Sequence, residues 1–91
     1  MERRRWRIFG RVQGVGFRAF CQREALERGV RGWVRNEPDG SVTAEVEGPP
    51  ATLDGLLDQL RTAHPWARVE RVDVVRCSAG AAREQGFDIA G

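Results

Sequence analysis

Between residues 5 and 17 the chain changes its period. Trp6, Ile8, Gly10 and Val12 alternate with Arg5, Arg7, Phe9 and Arg11, the two-residue repeat of a strand over residues 5–12. Phe17, Phe20, Cys21 and Ala25 then share one face of a helix that runs to Arg28 and stops at Gly29, with Leu26 on the opposite side. The switch falls within Gln13-Gly14-Val15-Gly16, so a glycine-rich turn joins strand to helix.

The remaining elements follow without repeats, low-complexity stretches or linkers. Residues 31–36 read as a second strand, Pro38-Asp39-Gly40-Ser41 as a turn, and Val42, Ala44 and Val46 alternate with Thr43, Glu45 and Glu47 in a third. The turn is short, which makes these two strands antiparallel neighbours. Gly48-Pro49-Pro50 ends the hairpin, and Leu53, Leu56, Leu57 and Leu60 form a helical stripe that belongs to the core. After His64-Pro65, a strand carries Val69, Val72 and Val74, and its change of parity between 69 and 72 signals a bulge. Gly86-Phe87-Asp88-Ile89 supplies a short last strand. The order β-α-β-β-α-β is that of an α+β, ferredoxin-like (split βαβ) fold: an antiparallel sheet with two helices on one face. At 91 residues the expectation is one domain over 1–91, too small for separate cofactor and substrate halves.

Composition narrows the function classes. All fifteen basic residues are arginine and the net charge is only +2, too slight and too evenly spread to argue for nucleic acid. No lysine is present to form a Schiff base or hold a phosphate. Cys21 and Cys77 stand far apart and His64 is the only histidine, so metal-ligand spacing is absent; the two cysteines are expected to be buried thiols and His64 a surface residue. No apolar run approaches the roughly 20 residues of a membrane span, and Met1-Glu2-Arg3-Arg4-Arg5 leads into a strand rather than a signal-peptide core. The expectation is a cytoplasmic protein.

The turn at 12–18 suits an anion. Gly14 and Gly16 can take positive φ and aim successive N–H groups into one concavity, and the helix that follows adds unpaired amides and its positive dipole end. Arg18 supplies a planar fork of donors matched to two phosphate oxygens. Taken alone, the same residues also fit a tight turn with a solvated arginine. Gly14-Val15-Gly16-Phe17-Arg18-Ala19 formally satisfies the dinucleotide fingerprint, with Glu37 and Asp39 at about the right distance, but those acidic residues sit in a hairpin turn and no parallel crossover follows. An RNA-recognition module shares the element order, yet its third strand must expose aromatics for base stacking, and Ser41-Val42-Thr43-Ala44-Glu45-Val46-Glu47 offers carboxylates.

Two stretches then carry a resemblance. Gly10-Arg11-Val12-Gln13-Gly14-Val15-Gly16-Phe17-Arg18 is similar to the phosphate loop of the acylphosphatases, and Gly32-Trp33-Val34-Arg35-Asn36, followed by Asp39-Gly40-Ser41-Val42, resembles that family's second signature. The similarity runs from about Arg5 through Ile89. It implies a metal-independent hydrolase with no cofactor, acting on small acyl phosphates to release a carboxylate and inorganic phosphate, as a monomer without nucleic-acid or membrane partners. It further implies that Arg18 and the backbone amides of Gln13, Gly14, Val15, Gly16 and Phe17 hold the phosphoryl group and that Asn36 orients the attacking water. Departures are modest: Gly16 at a variable position, Arg28 where an apolar residue is common, and Ala90-Gly91 in place of a more aromatic or basic tail.

The chemistry is coherent apart from the resemblance. An acyl phosphate expels a carboxylate whose conjugate acid has a pKa near ~4, so no general acid is needed, and phosphoryl transfer mainly requires positioning and charge stabilisation. Other readings attach to single residues: Asn36 also fits a turn cap, Trp33 is expected in the core, and Arg11, Arg23 and Arg35 are expected to be solvated or salt-bridged. The alternative function is a non-catalytic module of the same fold that binds phosphate or carbamoyl phosphate.

Overall fold

The computed structural model of the chain describes residues 1–77 and 86–90. Strand β1 (Glu2–Arg11), helix α1 (Phe17–Glu27), strands β2 (Arg31–Asn36) and β3 (Val42–Gly48), helix α2 (Pro50–Thr62), strand β4 (Arg68–Cys77) and a short β5 (Phe87–Ile89) follow in the expected order. They form one sheet, β4-β1-β3-β2-β5. The sheet departs from the expected antiparallel one at a single edge: β5 runs parallel to β2, with Gly32 opposite Phe87 and Val34 opposite Ile89. Three residues carry no directional signal in sequence, and β5 takes the edge of β2 that β3 leaves open.

Both helices cover the same face. Phe17, Phe20, Cys21 and Ala25 from α1 and Leu53, Leu56 and Leu60 from α2 join Trp6, Ile8, Val34, Val42, Ala44 and Val46 in one core. Full burial of each such leucine is worth about 2 kcal/mol relative to exposure. Leu57, expected in the stripe, is only partly buried at its flank, and Leu26 faces solvent as its position predicts. Helix α1 ends as glycine endings do: the amides of Arg28 and Gly29 return to Ala25 and Leu26, and Gly29 has φ +68°.

Strand β1 starts at Glu2, earlier than its apolar alternation suggests, and its first arginines find carboxylates on β3, on β1 itself and on α2. Arg3 and Arg5 both pair with Glu45, at 2.7 and 2.8 Å, and Arg4 pairs with Glu2 and Asp54. The bulge in β4 is present: Phe9 opposes Arg71 and Gly10 opposes Val69, leaving Glu70 unmatched. Gly10 has φ +132°, and a Cβ there would lie 2.0 Å from the Arg68 carbonyl oxygen.

The face turned away from the helices is a ladder of charge. Glu47, 2% exposed, lies between Arg3 and Arg31, the latter at 2.5 Å, and Arg7 reaches Asp39 at 2.9 Å and the Ser41 hydroxyl at 2.7 Å. Trp33 lies here, half-buried beneath the Arg35 guanidinium at 5.0 Å, and not in the core as expected. Register decides this: Trp33 stands opposite Glu45, and the core side of β2 goes to Val34. Cys21 is buried in the core, which pushes its thiol pKa up, whereas Cys77 is only partly covered. Among the described residues no helix is long and apolar enough to cross a membrane.

Candidate active site

The end of β1 and the start of α1 are joined by a turn that only glycine allows at two points. Gly14 and Gly16 have φ +76° and +75°, the left-handed conformation expected of them. Gly16 is also the N-cap of α1, where no side chain caps the helix and no acidic residue stands in its first turn. The first-turn amides and the dipole end are thereby left for an external anion.

Gly14, Gly16, Phe17, Arg18 and Asn36 line one pocket of about 190 Å³, with Ile89 of β5 at its border. Asn36 is the last residue of β2 and shares the helix-covered side with Val34. Its Oδ1 is buried and accepts no hydrogen bond among the described residues. An orphaned buried acceptor costs on the order of 1–3 kcal/mol, which a donor entering the pocket would recover.

Gln13 and Val15, the other residues of the expected set, do not line this pocket. The Gln13 side chain turns toward the β2–β3 turn, donating from Nε2 to the carbonyls of Glu37 at 2.8 Å and Ser41 at 2.9 Å. Val15 packs against the core and borders a second cleft.

The turn after Asn36 is itself well braced. The Thr43 hydroxyl and the Arg35 guanidinium hydrogen-bond to Glu37 and hold its carboxyl below the usual carboxylate range, and the Ser41 hydroxyl and amide do the same for Asp39. The Glu37 amide donates to the Ser41 carbonyl at 2.8 Å. Arg35 is thus salt-bridged, as expected, and Arg11 is exposed; neither lines the pocket. Among the described residues no three His, Cys, Asp or Glu side chains gather as a metal site would require.

Two placements carry no readable signal in the sequence, one at this pocket and one at the neighbouring cleft. Ile89 reaches the pocket only through the parallel β5 pairing. His64, expected at the surface, is half-buried instead: its Nδ1 accepts from the amides of Trp66 and Ala67, and its ring edge meets Phe20 at 5.1 Å.

Known proteins resemble this chain in both sequence and backbone. The sequence model of the acylphosphatase family matches residues 4–89. An acylphosphatase of Thermococcus kodakarensis is 54% identical over 68 residues, 75% of each chain, and one of Salinibacter ruber is 52% identical over 83 residues, 91% of this chain and 86% of its own. The crystal structure of acylphosphatase from Bacillus subtilis superposes over the whole of both chains with a TM-score of 0.92 at 36% identity. Sequence and backbone agree over the same stretch, and the chain belongs to the acylphosphatase family.

Proposed function

We propose that this chain hydrolyses the carboxyl-phosphate bond of small acyl phosphates in the pocket between the 13–18 loop and Asn36. The observation that carries the reading is the meeting, in that pocket, of an uncapped helix start, an arginine and a buried amide oxygen that lacks a donor. The amides of residues 13–17 and the fork of Arg18 hold the phosphoryl oxygens and stabilise the charge that spreads over them in the transition state. A water donates to Asn36 Oδ1 and is thereby aimed at phosphorus.

The water oxygen forms its bond to phosphorus as the bond from phosphorus to the acyl oxygen breaks. The electron pair leaves with the carboxylate, and the water's proton ends on phosphate, giving a carboxylate and dihydrogen phosphate. A carboxylate is a good enough leaving group at neutral pH to need no proton donor. Arginine and amide dipoles supply the positive charge that this transfer requires, so the reaction proceeds without an added metal or cofactor.

The same reading treats residues 1–91 as one domain, acting as a cytoplasmic monomer. All the groups it uses come from a single chain. The test is acetyl phosphate hydrolysis by purified protein before and after treatment with a chelator. Equal, substantial rates support the proposal. Binding of inorganic phosphate without turnover would replace it with the phosphate- or carbamoyl-phosphate-binding module.

A further inference from the structure

A second cleft, of about 350 Å³, adjoins the pocket and shares Gly16 and Ala19 with it. Its walls are unlike those of the first. Phe20, His64 and Trp66 form an aromatic side, and Arg23 stands with them on the lining. Trp66 is 72% exposed, an indole that the fold itself does not bury. The loop bearing it is nevertheless held, because His64 Nδ1 accepts from the amides of Trp66 at 3.1 Å and Ala67 at 2.9 Å. The His64 ring in turn meets Phe20 edge-on, with centroids 5.1 Å apart, and lies 6.2 Å from Trp66.

Arg23 lies over the Phe20 ring at 5.3 Å, and its nearest carboxylate, Glu24, is 3.7 Å away, beyond hydrogen-bond distance. Most of its side chain is exposed, with donors left for a ligand. Residues 16, 19, 20 and 23 share one face of α1, so the cleft begins at the phosphate loop and ends at this guanidinium.

We propose that this cleft is the acyl-group subsite, selecting acyl phosphates whose acyl group is flat and apolar next to the carbonyl and anionic at its far end. The inference rests on the hydrolase reading above. With the phosphoryl group in the loop, the acyl carbonyl crosses Gly16 and Ala19, the flat portion lies against Phe20, His64 and Trp66, and the distal anion pairs with Arg23. Aromatic contact supplies affinity and the guanidinium supplies direction. Trp66 and Arg23 are specificity residues here; the chemical step stays with the neighbouring pocket.

The test compares kcat/KM for acetyl, benzoyl and 4-carboxybenzoyl phosphate in the wild type, Trp66→Ala and Arg23→Gln. Ratios between substrates, compared across proteins, cancel the differing reactivity of the leaving groups. Trp66→Ala should lower the benzoyl-to-acetyl ratio roughly 3- to 10-fold, chiefly through KM. Arg23→Gln should lower the carboxybenzoyl-to-benzoyl ratio roughly 2- to 5-fold. Both side chains are exposed, so matching thermal unfolding is expected for all three proteins. If either ratio stays within the error of the wild-type value, the subsite is wrong while the hydrolase reading stands. Failure of the folded wild type to hydrolyse any of the three would overturn both.

Discussion

Gln13 donates from its side-chain amide to the main-chain carbonyl of Glu37, the residue next to Asn36, at 2.8 Å. The phosphate loop and the strand that carries the proposed water ligand are therefore bonded to each other and not merely adjacent. Gln13→Ala removes this tie and its companion to Ser41. Turnover should fall about tenfold with the midpoint of thermal unfolding lower by several degrees, since two partly buried carbonyls lose a donor. Unchanged kcat in Gln13→Ala would show that the loop keeps its place unaided.

Arg18 is the fork at the pocket. Replacement by Gln or Ala should cost on the order of 10³-fold in rate and weaken inhibition by inorganic phosphate in parallel, and lysine should restore little because it presents a point charge. Steady-state kinetics with phosphate as inhibitor checks both effects. Near-normal turnover would assign the phosphoryl group to another arginine.

Asn36 is proposed to serve the chemical step and not the binding of phosphate. Asn36→Ala should lower kcat roughly 10² to 10³-fold while competitive inhibition by phosphate changes little. Its side of β2 is the core side, shared with Val34, so thermal unfolding is compared first. Equal losses of rate and phosphate affinity in a folded protein would make Asn36 a ligand of the phosphoryl group.

Glycines at two places answer to different constraints. A Cβ on Gly32 would stand 1.8 Å from the Glu45 carbonyl oxygen, at φ +146°, whereas one on Gly14 would meet nothing within 4 Å. Gly32→Ala should destabilise the fold by about 3 kcal/mol or more, and Gly14→Ala by about 1 kcal/mol, the cost of positive φ alone. Urea unfolding of the two variants distinguishes them.

Acid should weaken the charge ladder from one direction only. Burial pushes the Glu45 carboxyl up, but hydrogen bonds and charge from Arg3 and Arg5 outweigh it and hold the group below its ordinary value. A carboxyl depressed in the folded state stabilises the fold above its unfolded pKa, roughly 4.3, and that contribution is lost as pH falls through the folded value. Thermal midpoints should therefore decline below about pH 4, and Glu45→Gln should flatten part of that decline while lowering the midpoint at neutral pH.

What the sequence made legible was local. The α2 leucines, the glycine ending of α1, the positive φ of Gly14 and Gly16 and the β4 bulge each follow from a period or a residue type acting over a few positions. The placement of Trp33 did not, because only its pairing opposite Glu45 turns it to the open face. Ile89 and His64 were equally hidden: one reaches its pocket through a three-residue strand, and the other through a side-chain acceptor that folds its loop back on itself. Arg18 and Asn36 stand in the two signature stretches, while their meeting in one pocket depends on α1 and β2 packing together.

Strand β1 is an interior strand, with Trp6 between Ala44 of β3 and Val74 of β4. On a ribosome, the segment that ends in the phosphate loop would wait for Cys77 to emerge before its second edge could close. Such pairings are distant along the chain and form slowly. The strand that leads into the loop is therefore held on both edges only when segments as far apart in the chain as Trp6 and Val74 have met, with β5 still to add at the far edge.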